Sequence, residues 1–303
     1  MTNAVAVALP SHSAQRALRV MRPILQVTQA VSPDLAAALY EKLFFTPPTF
    51  RATERGRRWL ATGRPFRVDV RGREIAGWSW GTGAPVYLVH GWGDSAASLH
   101  AIAAPFIAAG HRVVTFDAPG HGASGRRRSS LPEFVWALGA MAATQGAPDI
   151  VVAHSMGAAA AVLAAGDGSC VANRYVFLAP PSDPAEFVSA FARAGGLREA
   201  TIQRMRQRVA LRLGFRWEDL DVLTHARRLR APLLVIHDRA DETVALEDGE
   251  KLARAWPNAE FVATDGLRHR GMLRDAAVIS RVLEFATTQR PAHGVIARET
   301  APE

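Results

Sequence analysis

Six short apolar runs punctuate the middle of the chain: PVYLVH at 85–90, RVVTFD at 112–117, DIVVAH at 149–154, YVFLAP at 175–180, PLLVIH at 232–237 and EFVATD at 260–265. They are rich in β-branched and aromatic residues and carry no charge inside, as strands covered on both faces must be. Helical stretches separate them. That alternation predicts right-handed crossovers and a mostly parallel sheet flanked by helices, an α/β architecture. Ahead of the first run, FRVDVRGREIAGWSWGTG alternates on both sides of Arg71-Gly72, which predicts a β-hairpin. Ligands of such sheets sit beyond the carboxyl ends of the strands. The residues that finish the runs therefore matter most: His90-Gly91, Asp117 and Ser155, with Asp241 and His269 a little beyond the last two.

The same patterning divides the chain. Residues 1–60 read as an N-terminal helical extension with breaks at Pro23, Pro33 and Pro47-Pro48. Residues 61–181 and 231–290 carry the α/β core, and 291–303 read as a flexible polar tail. Residues 182–230 are too long for a simple crossover. Asp183 reads as a helix cap there, with Pro184 in the first turn and Glu186 completing a capping box. Phe187, Val188 and Phe191 then share an apolar face, and further helices are predicted near 197–213 and 217–228. An insertion at this point hangs over the carboxyl edge of the sheet as a helical cap. The plainer alternative is an elaborate crossover without a functional role.

Composition narrows the classes. The chain has 303 residues, 49% of them hydrophobic, enough for one large domain with an insertion. Its formal net charge is +8, almost all from arginine, since Lys42 and Lys251 are the only lysines. Arginines cluster at 126–128 and along Arg198–Arg216. No nucleic-acid motif and no aromatic interleaving accompany them, so a solvated basic surface is expected rather than a nucleic-acid partner. Cys170 is the sole cysteine, which excludes an intramolecular disulfide and a thiolate metal cluster. It is read as structural, and its reduced state suits a cytoplasmic location. No metal and no cofactor are expected. No apolar run approaches the roughly 18–20 residues of a membrane span. AVAVALP precedes the first arginines, the reverse of a signal peptide's order. Residues 14–31 form a basic amphipathic stretch. It suits peripheral contact with a membrane surface, or an N-terminal helix packed across the core.

The chemistry concentrates at AHSMG. Ser155 stands where an apolar run stops and a small-residue helix begins, the setting of a nucleophile elbow. Ala153 and Gly157, two residues to either side, are small enough for strand and helix to approach closely. The simpler reading is a helix N-cap serine. A serine hydroxyl needs a base, and the base needs an orienting carboxylate. Asp241 follows one strand and His269 the next, in the chain order nucleophile, acid, base. Asp238 is the rival acid, but it follows its strand closely enough to read as a turn residue. His90 reads as a loop brace, and His154 and His237 as structural. The oxyanion of a tetrahedral intermediate needs N–H donors. Met156, directly after the serine, supplies one. Trp92, in the glycine-bent loop HGWGDSAASL, supplies the other.

Taken together, HGWGDS, DAPGHGASG, AHSMG, HDRADETV and GLRHRGML, in that order across residues 66–290, resemble the α/β-hydrolase superfamily, in its esterase-like serine-hydrolase branch. The resemblance implies Ser155 as nucleophile, Asp241 as acid, His269 as base and a helical cap near 182–230. The sequence departs from the pattern at Ala153, where glycine is usual, and at Arg268 and Arg270, which flank the base. Hydrolysis of a carboxylic ester or thioester through an acyl-enzyme is the activity expected, on a small-molecule acyl substrate. Phe187, Phe191 and Met205, with Trp92, are candidates for an apolar acyl pocket or for plain core. An acyltransferase, or an amide or carbon–carbon bond hydrolase, would use the same triad. A non-catalytic membrane-surface or binding protein is the alternative of a different class.

Overall fold

The computed structural model describes residues 12–48, 51–125 and 128–288, without the side chains of 12–19. The tail at 291–303 and the Arg126-Arg127 pair lie outside the described residues, as do the side chains that open the 14–31 stretch.

The hairpin forms as the alternation predicts. β1 (Arg64–Val70) pairs antiparallel with β2 (Arg73–Trp80), and Arg71 and Gly72 turn between them with positive φ. β3 (Pro85–Val89), β4 (Arg112–Phe116), β5 (Ile150–His154), β6 (Arg174–Leu178), β7 (Leu233–Asp238) and β8 (Ala259–Thr264) follow the six apolar runs. The eight strands form one sheet in the order β1-β2-β4-β3-β5-β6-β7-β8. Only the pairings of β1 with β2 and of β2 with β4 are antiparallel. Both faces are covered. Tyr87 and Val89 point into one apolar layer, while Val86 and Leu88 between them point into the other. An uninterrupted apolar run is therefore what period-two geometry demands here.

Among the described residues, twelve α-helices surround or extend the sheet. α1 (His12–Val31), α2 (Pro33–Phe44) and α3 (Glu54–Ala61) precede it. α4 (His100–Ala108), α5 (Leu131–Gln145) and α6 (Met156–Gly166) connect the central strands. α7 (Pro184–Ala194), α8 (Glu199–Leu213) and α9 (Val222–Ala226) lie between β6 and β7. α10 (Leu246–Ala255), α11 (Arg268–Gly271) and α12 (Ala276–Thr287) complete the chain.

Two local expectations are corrected. Pro23 does not break the first helix, because α1 runs through it. One ladder bond is lost, but side-chain contacts beyond the proline hold the next turns in place. Gln29 Nε2 donates to the Gly196 carbonyl, and Gln29 Oε1 accepts from the Arg198 N–H. Pro33 does interrupt, as the first residue of α2 after the Ser32 cap. At α7, Asp183 caps and Pro184 stands in the first turn, but Glu186 does not close a capping box. Its carboxylate turns outward to Arg193, two turns further along the same helix face.

The N-terminal helices and the helices after β6 share a third apolar cluster. Ala36, Ala37 and Tyr40 of α2 meet Ile202, Met205 and Val209 of α8. An acid sits at its edge. Glu41 is only 2% exposed and is surrounded by Arg128, Arg208 and Arg212, at 2.7, 3.4 and 2.9 Å. Arg204 pairs with Asp34 across the same seam. Much of the basic run along α8 is thus held in ion pairs to α2.

Candidate active site

β5 ends at His154, and α6 begins at Met156. Ser155 between them has φ 52° and ψ −125°, a left-handed conformation that costs an L residue about 1–3 kcal/mol. The surroundings enforce it. Ser155 N–H donates to the Leu178 carbonyl at the end of β6, 2.9 Å away. A Cβ on Gly157 would lie 2.5 Å from the His90 carbonyl, so only glycine lets α6 come this close to β3. A Cβ on Gly91 would lie 2.9 Å from Ser155 Cβ. Ala153, in contrast, is an ordinary buried strand residue paired with Phe177 and Val89.

Asp241 lies in the loop after β7 and His269 in the short helix after β8. His269 Nδ1 is 2.7 Å from Asp241 Oδ2. Asp241 Oδ1 accepts the N–H groups of Thr243 and Val244, and its side chain is fully buried. Burial alone would raise its carboxyl. Hydrogen bonds from His237 and His269 outweigh it and hold the group well below the usual carboxylate range. The contact from His237, 3.4 Å from Asp241 Oδ2, is one that sequence reasoning missed. The spacing of four residues across a strand end was the available signal. A Cβ on Gly249 would crowd His237 Nδ1 at 2.4 Å, so that glycine makes room for the ring.

Asp238 has a different task. Its carboxylate accepts from Thr264 Oγ1 and from the N–H groups of Ala240, Leu267 and Arg268. It fastens the loop that delivers His269. Arg268 has φ 58° there, a second left-handed position beside the site. His154 reaches the same loop. Its Nε2–H donates to the His269 carbonyl at 2.9 Å, and the two rings lie 4.6 Å apart. His269 is thereby set beside the elbow that carries Ser155.

The HGWGDS loop is braced from below. His90 Nε2 accepts the Ala118 N–H, and its Nδ1–H donates to the Gly91 carbonyl. Gly93 N–H donates to His121 Nε2. Among the described residues no hydrogen bond occupies the N–H of Trp92 or that of Met156. Cys170 is buried, and burial pushes its thiol up to about 12, so it is no nucleophile at neutral pH.

An apolar cavity of about 40 Å³ lies against both Trp92 and Met156. Its other walls come from Val188 and Val209 and from Phe44 and Phe45 at the end of α2. Phe187, Phe191 and Met205 are not part of this lining. Phe187 and Phe191 pack on Phe44, and Met205 is buried in the α2–α8 seam. Their side of the amphipathic helices faces the N-terminal extension, a partner that helix periodicity alone does not name.

A family model described as the alpha/beta hydrolase fold matches residues 84–231. Rv0554 from Mycobacterium tuberculosis is similar in structure at 23% identity, over 75% of this chain and 100% of that one, with TM-score 0.59. The esterase Pf2001 of Pyrococcus furiosus is similar at 21% identity, over 79% and 97%, with TM-score 0.59. A putative lipase from Acinetobacter baumannii AYE is similar at 18% identity, over 77% and 93%, with TM-score 0.58. No curated protein matches in sequence. The strand order and the match over residues 84–231 give the chain an α/β-hydrolase fold.

Proposed function

We propose that this protein is a hydrolase that cleaves a carboxylic ester or thioester of a small acyl substrate through an acyl-enzyme, with Ser155, His269 and Asp241 as its triad. The carrying observation is the 2.7 Å contact between His269 Nδ1 and a buried Asp241 carboxylate. It fixes the tautomer with Nε2 unprotonated, the form able to take the Ser155 proton. Ser155 Oγ then attacks the acyl carbon, and His269 returns the proton to the departing alcohol or thiol. A water activated by the same imidazole releases the acid. The N–H groups of Trp92 and Met156 hold the oxyanion; losing one such donor typically costs about 10²–10³ in rate. α7, α8 and α9 serve as the cap, with α2 as its inner wall. Similarity to an esterase and a putative lipase supports the ester as substrate. The test is Ser155→Ala, with p-nitrophenyl butyrate and a fluorophosphonate probe. Loss of both turnover and labelling is expected; unchanged turnover overturns the assignment.

A second reading adds contact with a lipid surface. Val20, Val27 and Val31 of α1 are 68%, 66% and 79% exposed, and Ile24 lies on the same stripe. Such a stripe on an arginine-rich chain suits an anionic interface. Co-sedimentation with anionic vesicles, weakened by salt, is expected; equal binding to neutral vesicles, or none, removes this reading. Among the described residues no helix is long and apolar enough to cross a membrane.

A further inference from the structure

A second cavity opens on the other side of the HGWGDS loop. It measures about 120 Å³, well above the roughly 10–15 Å³ that admits one water. Its wall is cationic: Arg51, Arg270 and Arg274 line it beside His100, against one carboxylate, Asp94. Asp94 is already engaged, since its Oδ1 accepts the Ser95 N–H and its Oδ2 lies 3.5 Å from Arg270. Neither Arg51 nor Arg274 meets a carboxylate among the described residues. Arg55 adds a further positive charge close by. Burial holds the His100 imidazole below its ordinary value, and the charges of Arg55 and Arg274 add to that against a hydrogen bond to Ala97. Positive charge therefore exceeds negative charge around a cavity with room for a ligand.

The cavity adjoins the chemistry. Arg270 directly follows His269, and Asp94 stands two residues past Trp92. The charges of Arg270 and Asp94 both reach His154, the neighbour of Ser155. The loop from Trp92 to Asp94 thus separates an apolar cavity from a cationic one. A guanidinium presents a planar fork that matches carboxylate and phosphate oxygens, two hydrogen bonds at a time.

We infer that this cavity binds a carboxylate or phosphate group carried on the leaving-group half of the substrate, while the acyl half lies in the apolar cavity. The inference rests on Ser155 as the nucleophile, and its test separates the two. Two esters with the same acyl group are compared: neutral p-nitrophenyl butyrate and anionic 4-butyryloxybenzoate. In the Arg51→Ala/Arg274→Ala double variant, kcat/KM for the anionic ester falls about tenfold to a hundredfold, and that for the neutral ester stays within about twofold. Equal losses on both esters, or none, overturn the inference. Arg51→Gln, at an exposed position, gives a partial loss in the same direction if the double variant does not fold.

Calorimetric titration of 4-hydroxybenzoate and of inorganic phosphate into Ser155→Ala protein reads the cavity without any chemistry. Binding of 4-hydroxybenzoate that weakens at least about tenfold in the arginine variants supports the inference. Phosphate binding alone, with no discrimination between the esters, assigns the cavity to a free anion and overturns it. If intact protein turns over neither ester, the nucleophile reading fails, and the titration still decides the cavity.

Discussion

His154 donates its Nε2 hydrogen to the main-chain oxygen of His269 across 2.9 Å, so the residue before the elbow serine holds the loop of the residue proposed as its base. Burial keeps the ring neutral, and His154 Nδ1 is left buried without a partner. His154→Phe keeps an aromatic ring but leaves the His269 carbonyl without its donor. Stability should fall by about 1–3 kcal/mol. The rate should fall more in kcat than in KM, by about tenfold or more, because misplacement of the base costs rate rather than binding. Unchanged kcat would show that the loop is held without this bond.

Stability should decline on mild acidification. Burial, reinforced by the charge of His269, lowers His154 to about 3; burial and then His90 lower His121 to about 3 as well. Both folded-state values lie below that of an unfolded histidine, near 6.5, so the unfolded chain binds more protons between those limits. Their contribution is fully present above about pH 6.5 and is lost as pH falls toward 3, roughly 2 kcal/mol per histidine by pH 5. Asp241 acts in a separate, lower window, because its depressed carboxyl stabilises the fold above about pH 4. Urea unfolding at pH 7 and pH 5 measures the first effect, and a flat result would contradict the burial of the two rings.

The two aspartates after β7 should separate cleanly. Asp241→Asn leaves the loop bonds to Thr243 and Val244 available but removes the charge facing His269. Turnover should drop by about 10³–10⁴ with the fold intact. Asp238→Asn weakens up to four hydrogen bonds, two of them from the Leu267–Arg268 turn, and should act first on stability, by about 1–3 kcal/mol. Thermal unfolding alongside steady-state rates distinguishes them; the reverse pattern would make Asp238 the catalytic acid.

Ala153→Gly should bring no gain in rate, and should cost about 0.5–1 kcal/mol as a strand glycine. Gly157→Ala should be far more damaging, since its methyl meets the carbonyls of His90 and Val89. Equal tolerance at the two positions, read from melting temperatures, would contradict the close packing of α6 on β3.

The apolar cavity is narrow and has aromatic walls. Short acyl chains should be preferred, and Phe44→Ala, by removing part of the far wall, should move the preference to longer ones. A chromogenic ester series from acetate to decanoate reads this. An unchanged profile would place the acyl chain elsewhere.

What was legible in the sequence follows from locality. The six core strands announce themselves because burial on both faces leaves no room for a polar residue between Pro85 and Val89 or between Leu233 and Ile236. Ser155, Asp241 and His269 could be chosen together because each follows a strand end, where strand order brings distant loops into one place. The walls of the apolar cavity could not be found this way. Phe44 and Val209 lie far apart in the chain and meet only through the packing of α2 on α8. The contact of His237 with Asp241 was hidden for another reason: an inward-pointing strand histidine reads as core until the loop beyond it is seen to fold back.

Glu41 joins three separate stretches of chain through Arg128, Arg208 and Arg212. The burden is uneven: losing one arginine leaves the buried acid still paired with the other two, whereas losing Glu41 leaves three partly exposed arginines facing one another. The acid should therefore be lost only together with its arginines, while a single arginine can drift. A chimaera that grafts a different N-terminal extension onto this core would have to bring its own acid at position 41, or neutralise the arginines that await it.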